Sequence, residues 1–405
     1  MYCKKTGKIR DHFPFISKYK DGDLIYFDNA ATTHKPEAVL NSIANYYTKT
    51  NSNIHRSTHS LGSQATLEYE LARKTIAKFI GAKSEKEVVF TSGATESINL
   101  VADSFVRHQV GEKDVILTTE VEHHSNFLPW QRLCEEKGCT LKTIPFDDNF
   151  KLDVSNLQLI NSNVKFIAIH HVSNVTGCIQ NLQELIEAAK KLNIPVLIDG
   201  AQAVSHLNIN VSDLDCDFYC FSGHKLFGPT GTGVLYGKSE KMQALNPYRV
   251  GGGMVSLASL NKSIWEESPM HLESGTPNIC GSIALASAVD YLLKIGLDNI
   301  LKHEMILTEH TRSVLEKIPN IIFYRSSQSY IPIFSFNIQG LHHHDIASLL
   351  TENNIYVRSG HLCCQPLMSH LNIDGCLRIS LSMYNTVEEI NRFGKVLLKI
   401  VKFLS

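Results

Sequence analysis

The sequence has no long hydrophobic run and no block of charge of a single sign. Among its 405 residues, 39 are basic and 40 are acidic, which leaves a formal net charge of −1. No apolar stretch approaches the ~18 residues that a membrane-spanning helix needs. No basic stripe or tail provides the electrostatic surface of a nucleic-acid or membrane-surface binder. We therefore expect neither a nucleic-acid nor a membrane partner.

A secretory signal and a disulfide framework are also missing from the pattern. The start, Met1-Tyr2-Cys3-Lys4-Lys5, is positively charged, but no apolar segment follows it. Ten cysteines are few for this length, and neither Cys134/Cys139 nor Cys216/Cys220 has the two-residue gap of a zinc knuckle. The sequence predicts reduced thiols and a cytoplasmic location.

The tract His342-His343-His344-Asp345 is the segment most suggestive of a metal site. Adjacent histidines on a loop seldom converge on one ion. A helix start with Asp345 in its first turn explains the tract equally well. We predict no metal site.

Short apolar runs alternate with helical periodicity through the first two-thirds of the chain. Unbroken apolar strands predict a parallel sheet covered on both faces, with ligands at the carboxyl ends of the strands. Predicted strands lie at 26–28, 87–90, 115–117, 165–169, 194–198, 216–221 and 232–236, and predicted helices at 36–47, 64–79, 95–106 and 182–191.

The pattern changes beyond about residue 240. Arg249-Val250-Gly251-Gly252-Gly253 interrupts it, and an α+β module of about a hundred residues follows. We predict an N-terminal segment at 1–22 that packs on the small domain, a large domain at 23–292 and a small domain at 293–405. Within the last third, predicted helices lie at 282–295, 297–317, 344–352 and 386–404, and strands at 321–324, 333–338, 355–358 and 377–381.

Two strands end at residues that together indicate a cofactor. The strand at 194–198 is followed by Asp199, and the strand at 216–221 by Ser222-Gly223-His224-Lys225. A lysine can hold the aldehyde of pyridoxal phosphate as an imine. An aspartate can keep the pyridine nitrogen protonated, so that the ring withdraws electrons. A lone lysine is usually a solvated surface residue, but this pairing predicts a pyridoxal phosphate site.

Further polar residues follow other predicted strands. Thr91-Ser92-Gly93-Ala94-Thr95-Glu96 joins a strand to a helix start and could bind phosphate through Thr95 and backbone N–H groups, although simple capping also explains it. Ser222 and His224 could add phosphate donors. His123 could stack on a flat ring or cap a helix, and Asn174 could bind a ligand or form a turn.

These segments resemble the fold-type I pyridoxal phosphate enzymes, and within them the class V aminotransferases. The chain is most similar to cysteine desulfurases of the SufS type, called group II, which are close to selenocysteine lyases. The matching motifs, in family order, include Tyr26-Phe27-Asp28-Asn29-Ala30-Ala31-Thr32, Asn53-Ile54-His55-Arg56, Glu122-His123-His124-Ser125-Asn126, Asp199-Gly200-Ala201-Gln202, Gly275-Thr276-Pro277-Asn278, Arg358-Ser359-Gly360-His361-Leu362-Cys363 and Arg378-Ile379-Ser380-Leu381-Ser382.

The resemblance implies a large, mainly parallel seven-stranded sheet domain and a role for each site residue. Lys225 would bind pyridoxal 5'-phosphate covalently, with Asp199 at the pyridine nitrogen, Gln202 at the phenolic oxygen and His123 stacked on the ring. Thr95, Ser222 and His224 would hold the phosphate, joined by Thr276 of a second copy in a homodimer. Asn174, Arg378 and His55 would bind substrate.

Two positions depart from the family pattern. Ala94 stands where relatives often carry threonine, so that only its backbone N–H could bind phosphate. Cys364 stands where relatives have a small residue, beside Cys363, which the motif identifies as the nucleophile in the small domain. Cys364 could accept sulfur from Cys363, form a vicinal disulfide or have no role.

The activity that the resemblance implies is conversion of L-cysteine to L-alanine. The sulfur would remain on Cys363 as a persulfide, for iron–sulfur cluster assembly. The implied acceptor is a protein of the SufE or SufU type. Selenocysteine lyase activity on L-selenocysteine is the alternative, since it uses the same cofactor residues. Aminotransfer or kynurenine cleavage, or a non-catalytic role on the same scaffold, are more distant alternatives.

Overall fold

A sheet of seven strands forms the centre of the larger part of the molecule. The computed structural model describes residues 9–19 and 23–405. The sheet has the order β2-β8-β7-β6-β5-β3-β4. Six of these strands run in one direction, and β8, between β2 and β7, runs in the opposite direction. The mainly parallel α/β fold is therefore confirmed. Its strands are β2 (Val88–Thr91), β3 (Val115–Thr118), β4 (Thr140–Thr143), β5 (Val164–His170), β6 (Val196–Asp199), β7 (Phe218–Ser222) and β8 (Gly233–Gly237).

Burial explains why most of these strands are uniformly apolar. Every residue of β3, β6, β7 and β8 is buried, because helices cover both faces of the sheet. The helices of this part are α1 (Pro14–Ser17), α2 (Glu37–Asn45), α3 (Ser60–Phe79), α4 (Ala94–Ser104), α5 (Leu128–Lys137), α6 (Gln183–Lys191), α7 (Val211–Leu214), α8 (Ser239–Gln243) and α9 (Ile279–Ile295).

A second, antiparallel sheet lies in the last third of the chain. Its order is β11-β12-β15-β14, and its core includes Phe334, Leu377 and Phe393. The elements here are α10 (Leu297–Leu315), α11 (His343–Glu352), α12 (Gln365–His370), α13 (Val387–Leu404), β11 (Ile321–Phe323), β12 (Ile333–Ile338), β13 (Ile355–Tyr356), β14 (Arg358–Gly360) and β15 (Cys376–Ser380). A capping box between Thr386 and Glu389 starts α13.

Two short pairings complete the strands. β1 (Ile25–Tyr26) runs parallel to β13, and Ile25 and Phe27 are buried in the core of the second sheet. A hairpin of β9 (Val255–Ala258) and β10 (Ser263–Trp265) follows the glycine-rich break. Residues 23–28 thus pack with the C-terminal sheet although they precede the large one. The domain boundaries at 22 and 292 remain predictions.

The described part of the N-terminal segment contacts both sides of the predicted boundary. Arg10 pairs with Glu389 on α13 at 2.8 Å, while the Phe13 ring packs on Phe227 and Tyr291. The rest of the predicted 1–22 segment, residues 1–8 and 20–22, lies outside the described residues.

Within residues 9–19 and 23–405, no single helix has the length and apolar character needed to cross a membrane. The pair α9 and α10, bent by 77° at their junction, meets those two criteria only when both helices are counted together.

Candidate active site

A cavity of about 540 Å³ opens at the carboxyl ends of β5, β6 and β7 and is closed by segments of the C-terminal sheet. Its volume is in the range of small-molecule sites. It is bordered by most of the predicted residues, namely Ala94, Thr95, His123, Asn174, Asp199, Gln202, Ser222, His224, Lys225, Cys363 and Arg378. One cavity therefore collects side chains that are up to 284 positions apart in sequence (94 to 378).

Strand ends position the lysine and the aspartate. Asp199 is the last residue of β6, and Lys225 lies in the 3₁₀ turn Gly223–Lys225 directly after β7. A Cβ on Gly200 would lie 2.2 Å from the ring of Tyr219, so glycine is needed for the backbone to pass this close to that ring. The Asp199 carboxylate accepts the Ala201 N–H at 2.9 Å. Gln202 donates to the Ala30 carbonyl at 2.7 Å.

Burial changes the proton affinities of this pair. It raises the pKa of Asp199, against the opposing effects of the Ala201 N–H and Lys225. Burial also lowers the pKa of Lys225, and the charge of Arg378 adds to that shift, whereas Asp199 and Cys363 oppose it. A buried lysine with a lowered pKa has more of its neutral, nucleophilic amine near neutral pH.

The start of α4 provides a cluster of hydrogen-bond donors. The Ala94 N–H donates to the Ser222 hydroxyl at 2.9 Å, and the Thr95 and Ser125 hydroxyls are 2.7 Å apart. A Cβ on Gly233 would lie 2.4 Å from the Gly93 backbone, so this approach requires glycine. Burial lowers the pKa of the neighbouring His224 to about 4, helped by Lys225 and Lys35. Neutral donors at a helix N-terminus suit a phosphate.

His123 stands on a buried polar network. Its Nδ1 accepts the Ser125 N–H at 3.1 Å, and burial, followed by the charge of Lys225, lowers its pKa to about 3. The adjacent Glu122 is fully buried and accepts from Asn126 at 2.6 Å and from the His170 N–H at 3.1 Å. The imidazole of His123 is thus a neutral ring held in place at the cavity wall.

Arg378 and Asn174 meet at the wall of the cavity. The Arg378 guanidinium donates to the Asn174 carbonyl at 2.9 Å and to Asp28 at 3.1 Å. Its Nε is buried and has no hydrogen-bond partner among residues 9–19 and 23–405. Burial lowers its pKa, while Asp28 opposes the shift. The Asp28 carboxylate also accepts a hydrogen bond from the Arg358 guanidinium at 2.7 Å, so two guanidinium groups share it.

The two adjacent cysteines have opposite environments. Cys363 is exposed at the cavity, in a segment that we call the cysteine turn, residues 361–365. Leu362 and Cys363 both have left-handed backbones, with φ of 55° and 56°. Cys364 is fully buried in an apolar cluster with Leu367 and Cys376, and burial raises its pKa. The geometry presents Cys363, and not Cys364, to the cavity.

Two predicted site residues lie outside this cavity. Thr276 is exposed on the segment before α9, and His55 is exposed with its Nε2 3.9 Å from Glu70. A single chain therefore brings neither to Lys225. The prediction for Thr276 involves a second copy of the chain, and the role of His55 in substrate binding also remains a prediction.

The histidine tract begins α11, as its pattern indicated, with Asp345 in the first turn. Ligand atoms of His342, His343 and Asp374 lie within 4.8 Å of one another. Asp374 comes from a loop thirty residues later, a proximity that no spacing in the tract could reveal. That the chain holds no metal remains a prediction.

Several residues that line the cavity, or that contact its lining as Asp28 does, have no predicted role. Asp28, Ser125 and Ala30 act through hydrogen bonds to Arg378, Thr95 and Gln202, and His124 binds the cysteine turn. For Asp28 there was a signal, since it is the last residue of the short strand predicted at 26–28. For Ala30 there was none, because it contributes only a backbone carbonyl.

The comparisons with known proteins agree with this fold and cavity. The class-V aminotransferase model matches residues 25–393. The chain therefore belongs to the class V aminotransferase family, whose members are fold-type I enzymes dependent on pyridoxal phosphate.

The relatives within the family point to one activity. A probable cysteine desulfurase from Halalkalibacterium halodurans is 42% identical, over 98% of each chain. Apo cysteine desulfurase from Thermococcus onnurineus NA1 superimposes with a TM-score of 0.93 at 39% identity, covering 98% of each chain. The S-sulfonic acid form of cysteine desulfurase CsdA from Escherichia coli gives 0.92 at 35% identity, covering 99% of each.

The residues present fit pyridoxal phosphate. Lys225 offers an amine of lowered pKa, Asp199 a buried carboxylate for a cationic ring nitrogen, and the start of α4 neutral donors for a phosphate. Arg378 has an unpartnered buried Nε for a carboxylate. The cavity therefore holds a matching group for the ring nitrogen and the phosphate of the cofactor and for the carboxylate of an amino acid.

Proposed function

We propose that this protein is a cysteine desulfurase of the SufS type, which converts L-cysteine to L-alanine and keeps the sulfur on Cys363 as a persulfide. The single observation that supports this most strongly is the exposed Cys363 in the same cavity as Lys225 and Arg378. Aminotransfer or kynurenine cleavage would give no reason for a thiol at this position.

The residues divide the substrate between them. Arg378, with an unpaired Nε, binds the α-carboxylate, and Asn174 lies beside it through its carbonyl contact with Arg378. This places the substrate amine toward Lys225 and its side chain toward the cysteine turn. Orientation of this kind contributes much of the rate enhancement in enzymes that join two reactants.

Bound at Lys225, pyridoxal phosphate would supply an electron-withdrawing ring that weakens the bonds at the substrate Cα and Cβ. Asp199 would hold the ring nitrogen in its protonated form, because a buried carboxylate favours a cationic partner. Once the substrate amine has replaced it on the cofactor, the freed Lys225 amine would take the proton from Cα, for which its lowered pKa suits it near neutral pH.

Cys363 then carries out the sulfur transfer. Its thiolate attacks the substrate sulfur, so that an S–S bond forms and the Cβ–S bond breaks. The electron pair of the broken bond stays with the three-carbon fragment, which takes up protons and leaves as alanine. The exposure of Cys363 allows the terminal sulfur to pass on to a second protein.

The proposal extends to assembly and partners. A homodimer would bring Thr276 of one copy to the phosphate end of the other, which the exposed position of Thr276 supports. The acceptor would be a small protein of the SufE or SufU type docking over the cysteine turn, for iron–sulfur cluster assembly in the cytoplasm. The short turn between β14 and α12 supports this type, since acceptor access needs no long mobile loop.

The decisive experiment measures alanine release from L-cysteine with a reductant, for the wild type and Cys363→Ala, and, in a separate incubation without reductant, the mass of the Cys363 peptide. We expect alanine from the wild type, one extra sulfur atom on that peptide, and a loss of about 10²-fold or more in Cys363→Ala. Full turnover by Cys363→Ala would exclude the persulfide mechanism. Turnover of L-selenocysteine alone would favour the lyase alternative.

A further inference from the structure

We infer that His124 is a positioning residue, which holds the cysteine turn through its backbone and its imidazole and so fixes Cys363 in the cavity. The inference rests on the proposed function only for the consequence on turnover. The contacts that carry it are properties of the fold.

The cysteine turn needs external support. Leu362 and Cys363 are consecutive left-handed residues, and neither is glycine. A left-handed backbone is disfavoured for residues other than glycine, and it persists only where its surroundings determine it. Within the turn, the Cys364 N–H donates to the His361 carbonyl at 2.9 Å, which closes it but does not fix its direction.

The direction comes from hydrogen bonds to other segments. Asn174 donates to the Leu362 carbonyl at 2.8 Å. The His124 N–H donates to the Cys363 carbonyl at 2.7 Å, and the His124 Nε2 accepts the Gln365 N–H at 3.2 Å. His124 therefore contacts the turn on both sides of Cys364, with a backbone donor before it and a side-chain acceptor after it.

The position of His124 is itself fixed. It begins the 3₁₀ turn His124–Asn126, which follows the ring of His123 at the cavity wall. Asn126 is buried and donates to Glu122 at 2.6 Å, which ties this segment to the sheet. His124 thus connects two parts of the site. Its neighbour His123 lines the cavity, and His124 itself hydrogen-bonds the cysteine turn that carries Cys363.

The side-chain contact defines a protonation state. A backbone N–H can only donate, so Nε2 of His124 must carry a lone pair and the neutral ring has its proton on Nδ1. Burial, followed by the charge of His361, lowers the pKa of His124, which favours this neutral form. The contact is therefore available under neutral conditions.

Two variants separate the acceptor from the shape of the ring. His124→Phe keeps a flat ring but removes the acceptor, while His124→Gln places an amide oxygen near the former Nε2. Both keep the backbone donor to Cys363. His310→Phe is the matched control, since His310 is a half-buried histidine on α10, outside the cavity, that hydrogen-bonds Asn391.

Steady-state kinetics of the holoenzyme test the consequence. Because a displaced nucleophile slows sulfur transfer without changing substrate binding, we expect His124→Phe to lower kcat about 10- to 100-fold, with KM for L-cysteine changed less than about threefold. If His124→Phe loses about 100-fold in kcat, the kcat of His124→Gln should be at least about tenfold higher than that of His124→Phe. The kcat of His310→Phe should match that of the wild type. Equal kcat in His124→Phe and the wild type would overturn the inference.

Hydrogen exchange tests the same contact without turnover. We expect the peptide covering residues 362–367 to exchange faster in His124→Phe, and at the wild-type rate in His124→Gln and His310→Phe. Unchanged exchange in His124→Phe would overturn the inference even if the enzyme were impaired. Faster exchange in a protein with no desulfurase activity would support the positioning role and refute the proposed function, so the two failures are distinguishable.

Discussion

The two sides of the cavity are built in different ways. On one side, Asp199, Gln202, Ser222 and Lys225, which we call the cofactor wall, stand at or just after the ends of buried strands. On the other side, the cysteine turn has left-handed residues and an exposed thiol, held by side chains from another part of the chain. The buried strands that carry the cofactor wall hold it in position, whereas the cysteine turn is held by hydrogen bonds from Asn174 and His124.

The difference suits the chemistry that we propose for each side. A covalently held cofactor benefits from a fixed frame, because misplacement by about 1 Å can reduce a rate by about 10²-fold. A sulfur carrier must also meet a second protein, so its thiol has to be exposed. The following predictions test this contrast between a wall and a turn.

The largest expected effect comes from the cofactor wall. Lys225→Ala removes both the covalent attachment point and the proposed base, and we expect a loss of about 10³-fold or more in alanine release from L-cysteine. Borohydride should attach no cofactor to this variant, whereas it should do so in the wild type. Lys238→Ala, which removes a half-buried lysine outside the cavity that is paired with Asp215, serves as the control. Residual turnover above a few per cent would contradict the assignment.

Arg378→Lys should act on binding and not on the cofactor. Lysine keeps the charge but cannot present the paired donors of a guanidinium. Hydrogen bonds to charged groups contribute about 1.5–3 kcal/mol, so we expect KM for L-cysteine to rise about 10- to 100-fold. The absorbance of the bound cofactor should remain. An unchanged KM would remove Arg378 from the substrate site and leave it as a partner of Asp28 alone.

The cofactor wall was largely predictable from the sequence, and the turn was not. Asp199 and Lys225 follow apolar runs that could only be buried strands, and parallel strands bring their carboxyl ends to one edge. The predicted strand ends agree with the structure within about two residues, as for 194–198 against Val196–Asp199. Their meeting therefore follows from local pattern alone.

Contacts between distant segments left no such pattern. The predicted strand at 355–358 is in fact two, β13 and β14, which join different partners. The polar edge strand β4 and the hairpin of β9 and β10 lack the unbroken apolar runs that identified the buried strands. The sharing of Asp28 by Arg358 and Arg378 depends on the pairing of β1 with β13, which no spacing encodes.

Acid should destabilise the fold at the carboxyl end of β5, next to the cofactor wall. His171 is buried after β5, and burial, followed by the charge of His170, lowers its pKa to about 4. An unfolded histidine titrates near pH 6.5, so between pH 6.5 and about 4 the unfolded chain binds more protons than the folded one. The free energy of unfolding therefore decreases as the pH decreases through this range. Relative to His171→Gln, the wild type should lose about 2 kcal/mol of unfolding free energy from pH 6.5 to 5.

Urea unfolding at several pH values measures this difference. His310→Gln, at a half-buried histidine on α10, is the control, and its pH dependence should parallel that of the wild type. If His171→Gln also ran parallel to the wild type, His171 would be no more acid-sensitive than a surface imidazole. The carboxyl end of β5 would then not be a region at which acid destabilises the fold.

The smallest effect concerns the second cysteine of the turn. Cys364 is fully buried, its Sγ lies 3.8 Å from the Glu120 carbonyl, and burial raises its pKa, so that it is a poor sulfur acceptor. We expect Cys364→Ala to lower the free energy of unfolding by about 1 kcal/mol through lost packing, with alanine release within about twofold of the wild type. Cys363→Ala should show the reverse, since its thiol is exposed. Loss of sulfur transfer to the acceptor in Cys364→Ala, with alanine formation intact, would show a relay through the buried thiol. The turn would then have to open during each cycle.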